Sequence, residues 1–365
     1  MPSILSFYKK AVCLTTILSV LCLMDSSCQT STMGKDLDGQ EAIKEEYLKT
    51  VADAKALMTD DAICIIFATD LHYSYPQSNY YAEVLVKPID KTFQLIRDLS
   101  DDLNPSITCL GGDYIQLPLA EDGQTKEMGF RNLDHVNAFM NSLKGNKFLL
   151  SGNHEANYTG NGTGYGMTVE DFYSYTQKKW VDEHQVVEVG SSHQVFYKDD
   201  DQAKIRFLFL STMGLNYQPL MADIKACLST VNQDYQIIVF NHFTGYDNNQ
   251  PEVYPQVRQV VKSIKETECE LIAWIGGHNH ADMCYSCEGT AVISCLQSGA
   301  WTPGVSQDGR KYEHKRGTKD EVAISILIVR KDLGKIYVKR LGLGRDREIN
   351  YRDEGGGIGL VKWDN

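Results

Sequence analysis

The chain has 365 residues, with 36 Lys and Arg against 48 Asp and Glu, a formal charge of −12, and 42% hydrophobic residues. An acidic balance of this size repels nucleic-acid backbones and leaves no basic stripe, which excludes a nucleic-acid-binding surface. The apolar content is that of an ordinary globular protein and excludes a disordered or low-complexity chain.

In chain order, Lys9 and Lys10 precede an apolar stretch from Ala11 to Met24. It falls short of the roughly 20 residues a membrane span needs and fits a secretory signal over residues 1–28. Asp25-Ser26-Ser27-Cys28-Gln29 then admits two processing modes. One is a lipoprotein cleavage that would leave a lipid on Cys28; the other is plain signal-peptidase cleavage. Either way the chain is expected to be exported: periplasmic, an outer-surface lipoprotein or secreted, touching a membrane only through that lipid. Residues 29–59 read as a polar tether followed by an amphipathic helix over 40–58. The main domain is expected over 60–345, with 346–365 as a tail that is loose from Gly355.

Within the domain, apolar runs ended by Gly, Asn or Asp read as buried strands. They are Ile63–Ala68, Ile107–Leu110, Lys147–Leu150, Gln236–Phe240 and Leu271–Ile275. Helices are expected over 83–103, 131–144, 168–180 and 253–268. Val195–Lys198 and Ile205–Leu210 are expected strands with Asp199-Asp200-Asp201 as their turn. Ala291–Cys295, Val322–Val329 and Lys335–Lys339 complete the strands, the last two joined as a hairpin through Lys331-Asp332-Leu333-Gly334. Strand–helix alternation followed by a strand-rich end predicts two packed mixed sheets with helices outside, an α/β class.

Of ten Cys, three belong to the leader, and the remaining seven are an odd number. That is no disulfide framework. Cys284-Tyr285-Ser286-Cys287 lacks the second pair of a zinc knuckle and reads as a local disulfide or two plain thiols.

Five of the strands run into short motifs: Asp70-Leu71-His72, Gly111-Gly112-Asp113, Gly152-Asn153-His154-Glu155, Asn241-His242 and Gly277-His278-Asn279-His280. Ligands bind outside the carboxyl ends of such strands, so distant loops can converge on one pocket. Asp70 and Asp113 supply carboxylates, His72, His242, His278 and His280 imidazoles, and Asn153 a neutral amide oxygen. Mixed nitrogen and oxygen donors suit Mn, Fe or Zn.

In this order the motifs resemble the calcineurin-like metallophosphoesterases, whose pattern is D-x-H, GD, GNH[D/E], a lone His and GHxH. The resemblance covers roughly residues 60 to 300. It implies a four-layer α/β/β/α sandwich, the metallo-dependent phosphatase fold, and two divalent or trivalent metal ions. By resemblance Asp70, His72 and His280 take one ion, Asn153, His242 and His278 the other, and Asp113 bridges them at about 3.5–4 Å. A hydroxide activated there would attack phosphorus in line with the leaving oxygen. His154 would face the leaving group as general acid or hydrogen-bond donor, with Asp70 orienting it. Asn153, His154, Tyr73 and Tyr246 are the candidate substrate contacts.

Other features carry less. His135, His184, His193 and His314 lie outside the motifs and are expected on the surface or in loops, and Glu155 is expected behind the ligands. Residues 157–166 are Gly-rich but lack the Gly-Lys-Ser/Thr ending of a phosphate loop. Gln116 stands where the purple acid phosphatase branch has its Tyr ligand, which argues against that subtype. The expected activity is hydrolysis of a phosphate ester, on a small phosphorylated molecule. The alternatives are a phosphodiesterase acting on cyclic nucleotides or phospholipid headgroups and, from another class, an inactive metal-stabilised binding module.

Overall fold

The structure, a computed structural model, describes residues 41–73, 79–115, 126–155, 167–214, 216–245, 255–299, 304–315, 317–352 and 359–363. The leader with Cys28, the tether, Gln116, the Gly-rich stretch 157–166 and Tyr246 lie outside them. Residues 42–365 group as one unit.

The apolar runs become strands because each has two faces to bury. β1 (Ile63–Ala68) and β2 (Ile107–Leu110) are buried at every residue, and β3 (Lys147–Leu149) at all but Lys147. The three run parallel, as continuous apolar strands covered on both faces do. β13 (Ala323–Arg330) pairs antiparallel with β1, and β14 (Lys335–Gly342), β15 (Arg347–Asn350) and β16 (Gly359–Trp363) extend the same sheet. Its order is β16-β15-β14-β13-β1-β2-β3.

The second sheet holds β4 (Val187–Glu188), β5 (Val195–Asp200), β6 (Ile205–Leu210), β7 (Gln236–Phe243), β8 (Glu270–Gly277), β9 (Ala281–Cys287), β10 (Thr290–Ser294), β11 (Gly304–Ser306) and β12 (Lys311–Tyr312). Its order is β12-β11-β9-β10-β8-β7-β6-β5-β4, with β6, β7, β8 and β10 parallel in succession. Helices flank these two mixed sheets. They are α1 (Glu41–Leu57), α2 (Asn79–Leu103), α3 (Lys126–Ser142), α4 (a mixed helical segment over 169–182), α5 (Met221–Ser229) and α6 (Pro255–Lys265). α2 packs on β1, and α6 on β8.

The sheets meet through buried phenylalanines. Phe67 of β1 stacks on Phe240 of β7 at 6.1 Å between ring centroids, and Phe148 of β3 lies 4.8 Å from Phe209 of β6. Phe209 in turn stacks on Phe240 at 5.4 Å. Each such ring contributes about 1.5–3 kcal/mol by burial alone. Their position holds the carboxyl ends of β1, β2 and β3 beside those of β7 and β8.

Two expectations need correction. Asp199 and Asp200 are not turn residues: β5 continues through Asp200, because the Asp199 carboxylate takes both Nε and Nη2 of Arg206 at 2.7 Å and strand pairing persists to Asp200–Ile205. The tail is not loose throughout from Gly355, since β16 (Gly359–Trp363) pairs antiparallel with β15 at the edge of the first sheet. Of the two expectations for Cys284 and Cys287, plain thiols hold: both are buried free cysteines. α5 went unread because its short span buries only Ile224, Cys227 and Leu228.

A buried ion cluster also ties the sheets together. Asp282 of β9 is fully buried and accepts from Arg340 Nη2 of β14 at 2.6 Å, contacts the Arg347 guanidinium of β15, and accepts from the Arg345 backbone N–H at 3.1 Å. One carboxylate thus serves two buried guanidinium groups. Removing one partner of such a cluster costs about 3–5 kcal/mol, because the remaining charge stays buried. Asp282→Asn should therefore lower the urea midpoint by a corresponding amount with an unchanged m value; an unaltered midpoint would mean the cluster contributes little.

Candidate metal centre

Asp70 and His72 follow β1, Asp113 follows β2, Asn153 and His154 follow β3, His242 is the penultimate residue of β7, and His278 and His280 follow β8. Five of these residues hold left-handed backbone: Asp70 (φ 54°), His72 (50°), Asp113 (53°), His278 (71°) and His280 (50°). Such backbone costs an ordinary side chain about 1–3 kcal/mol and persists only where the surroundings hold it. Here main-chain bonds do so. The Asp70 N–H donates to Gly112 O at 3.0 Å, the His72 N–H to Asp113 O at 2.9 Å, and the Ser298 N–H to Thr69 O at 2.7 Å.

The motif glycines are required by close approach. A Cβ on Gly152 would lie 2.3 Å from Asp113 Oδ1, and one on Gly277 2.2 Å from Asp70 Oδ2. Glu155, fully buried, accepts the backbone N–H groups of Asp113 (2.9 Å), Tyr114 (2.7 Å), Ile115 (3.3 Å) and Gly152 (2.6 Å). It clamps the loop after β2 to the loop after β3. Burial beside Asp113 pushes its carboxyl up to about 7, against the pull of those donors.

Asn241 has a similar locking role that its motif alone did not reveal. A register shift between β7 and β8 spans Phe240 to Phe243. The Asn241 amide fills this irregularity: Nδ2 donates to Leu210 O and Thr212 Oγ1, while Oδ1 accepts from Tyr217 Oη and the Phe243 N–H. Irregularities of this kind re-aim a side chain, and here His242 turns into the pocket. Its Nδ1 faces Gly111 O at 2.8 Å, which makes Nδ1 the nitrogen that keeps its proton and Nε2 the one that can give up a proton to coordinate.

The side chains then converge. Three sets each place one nitrogen or oxygen per residue within 4.8 Å of one another: Asp70, His72 and His280; His72, Asp113 and His154; and Asp113, His242 and His278. His242 Nε2 lies 3.1 Å from Asp113 Oδ2, and 3.2 Å from Asn153 Oδ1. His72 Nε2 lies 2.9 Å from His280 Nε2, and Asp70 Oδ1 sits 3.4 Å from that same His280 nitrogen. Asp70, His72, Asp113 and His242 form a buried floor, while Asn153, His154, His278 and His280 are half-buried at the mouth.

A cation fits this arrangement. Asp70 Oδ1 and His278 Nδ1 are buried without a hydrogen-bond partner, which ordinarily costs free energy. Burial opposes ionisation of both carboxyls, yet neighbouring imidazoles, His242 foremost, hold Asp70 at about 2 and Asp113 well below the usual range. Burial likewise opposes a charge on His242, but Asp113 and Asp70 lift it to about 9. Burial and the His242 charge push His278 down to about 4, and burial keeps His72 well below its ordinary value. Two carboxylates against one imidazolium leave the floor net negative.

The structure thus brings together every metal ligand expected from the motifs. His154 donates its backbone N–H to Asp113 Oδ1 at 2.8 Å and sets its ring Nε2 3.8 Å from Asp113 Oδ2. Asp113 is therefore the carboxylate these contacts give it. Tyr73, expected as a substrate contact, is 5% exposed and stacks on His135 at 5.0 Å.

The family profile described as calcineurin-like phosphoesterase matches residues 64–282. Among solved structures, a dimetal phosphatase from Danio rerio is similar at 12% identity, over 79% of this chain and 99% of that one, with a TM-score of 0.51. A purple acid phosphatase from yellow lupin (Lupinus luteus) seeds aligns at 15% identity over 83% of this chain and 53% of its own, TM-score 0.45. A calcineurin-like phosphoesterase from Bacillus subtilis aligns at 14% identity over 83% and 90%, TM-score 0.39. No curated protein matches the sequence. With the profile spanning more than half of its length and the first of these structures sharing its fold, the chain belongs to the calcineurin-like phosphoesterases, metal-dependent enzymes that hydrolyse phosphate esters.

Proposed function

We propose that this chain hydrolyses the ester of a small phosphorylated molecule at a pair of metal ions. Asp70, His72 and His280 would hold one ion and Asn153, His242 and His278 the other, with Asp113 shared. The observation that carries this reading is the convergence of two nitrogen-and-carboxylate sets, one around Asp70 and one around Asp113, with His242 Nε2 within 4.0 Å of both carboxylates. Bound there, Mn, Fe or Zn would activate water near neutral pH and offset the charge of the phosphoryl oxygens.

The chain's own groups do the rest. Asn153 and the histidines are neutral ligands, so the donor set does not cancel the cations that attract a phosphate. His154 stands at the mouth beside Asp113. Burial lowers its pKa against the pull of that carboxylate, so at neutral pH its ring is neutral and donates an N–H towards the leaving oxygen. The formal charge of −12 disfavours polyanionic polymers as substrates and supports a small one. The leader read in residues 1–28 would place the activity outside the cytoplasm.

Hydrolysis of p-nitrophenyl phosphate and of its bis-ester, with Mn, Zn or Fe restored to metal-stripped protein, tests the reading. Turnover of at least one ester that vanishes on stripping is expected; inertness with every metal would favour the binding-module alternative. Asp113→Ala should lose bound metal, and elemental analysis showing two ions retained would contradict the shared ligand. His154→Ala should keep its metal and lose about 10²–10³-fold in kcat on alkyl phosphates, the range for removing a hydrogen-bond donor to developing charge. The loss should be smaller on p-nitrophenyl phosphate, whose leaving oxygen delocalises its charge and needs less help from a donor, and equal losses on both would remove His154 from the leaving-group side.

Metal affinity should depend on pH with a defined sign. His242, held at about 9 in the metal-free pocket, must lose its proton to coordinate. Below that value binding releases a proton, so the apparent association constant should rise about tenfold per pH unit from 7 to 9. Titration in weakly buffered solution should detect the released proton; pH-independent affinity would mean that His242 binds metal without deprotonating.

A further inference from the structure

Gln177 lies far from the motifs, on a helical segment with an uncommon feature. That segment begins at Thr168, whose hydroxyl caps the Asp171 N–H, and passes through a π-helical turn at Tyr173–Gln177 before resuming over Lys178–Asp182. A π turn is rare and often sits at functional positions. Here it presents a 1% exposed amide, Gln177, to the seam between the two sheets. Gln177 Nε2 donates to Leu149 O at 2.9 Å, at the end of β3, and to Ser211 Oγ at 2.6 Å, just past β6.

Ser211 passes this contact to the loop that carries Asn153 and His154. Its Oγ accepts the Ser151 backbone N–H at 2.9 Å and lies 3.0 Å from Ser151 Oγ. A hydroxyl has two lone pairs and one proton. With both lone pairs taken by Gln177 and the Ser151 N–H, the Ser211 proton must point to Ser151 Oγ. The direction of the whole relay is therefore set by the Gln177 amide, and all three side chains are about 1% exposed. From Ser151 onward the loop is held on its other side by Glu155 at the Gly152 N–H and by Asp113 at the His154 N–H.

We propose that Gln177 and Ser211 are positioning residues that set where Asn153 and His154 stand relative to the floor of the pocket. The inference rests on the phosphoesterase reading above for its kinetic consequences, though not for its geometry. Loss of a partner behind a ligand commonly costs about 10–100-fold in activity. A misplaced His154 should also make turnover depend more steeply on the leaving group.

The test compares Gln177→Met, Ser211→Ala and Ser211→Thr with the wild-type full chain, all loaded with the same metal. Aryl and alkyl phosphates of differing leaving-group pKa serve as substrates, and thermal melts and elemental analysis run alongside. Ser211→Ala and Gln177→Met should keep two ions and change KM less than about threefold, while kcat falls about 10–100-fold with a steeper leaving-group dependence. Ser211→Thr, which restores the hydroxyl, should recover most of kcat. If Gln177→Met does not fold, Ser211→Ala decides alone, since it removes a single oxygen. Wild-type kcat and an unchanged leaving-group slope in folded Ser211→Ala would overturn the proposal, as would a loss that only follows the melting temperature. The His154 ring ¹⁵N shifts, read on the same proteins, should move in Ser211→Ala. If the wild-type chain hydrolyses no ester, the phosphoesterase reading fails while those shifts still decide this one.

Discussion

Everything at this site depends on two ionised carboxylates, Asp70 and Asp113, buried at the point where two sheets meet. A buried carboxylate without compensation costs many kcal/mol, and hydrophobic packing around it cannot lower that cost. What lowers it here is a ring of imidazoles that share their oxygens, with one of them, His242, charged in the absence of a metal. The arrangement is less satisfied than an ordinary buried ion pair, since Asp70 Oδ1 and His278 Nδ1 remain without hydrogen-bond partners. An unsatisfied, net-negative floor lined by nitrogen donors is the physical form of a site prepared for cations.

The scaffold concentrates its rigidity where that floor needs it. Stacked phenylalanines fix the ends of β1 and β7 side by side, and the Asp282–Arg340–Arg347 cluster ties the same two sheets elsewhere. Local restraint takes over in the loops. Left-handed backbone at five candidate ligands aims alternate side chains at one point, Glu155 gathers four N–H groups, and Asn241 locks the irregularity that turns His242 inward. Each device offsets a conformational cost that a ligand loop would otherwise express as motion.

Much of this was legible in the sequence, and the division has a physical basis. Buried parallel strands have long apolar runs and end at Gly, Asn or Asp, so β1, β2, β3, β7 and β8 stood out. Their exits named all seven candidate ligands and His154, because those side chains sit at fixed spacing beside the strand ends. What the residues alone could not reveal are contacts between segments distant in the chain. The four-donor clamp of Glu155, the relay from Gln177 through Ser211 and the ion cluster at Asp282 involve ordinary residue types with no local periodicity. The last two strands escaped notice because both are short, and the first of them carries charge at Arg347 and Glu348. The triple aspartate looked like a turn because composition cannot foresee that Arg206 would neutralise Asp199.

The most direct measurement of the dinuclear assignment is anomalous diffraction from crystals of the metal-loaded protein, collected on both sides of the metal absorption edge. Two peaks about 3.5–4 Å apart are expected, one among Asp70, His72 and His280 and one among Asn153, His242 and His278, with Asp113 between them. A single peak in fully active protein, or peaks away from these residues, would contradict it.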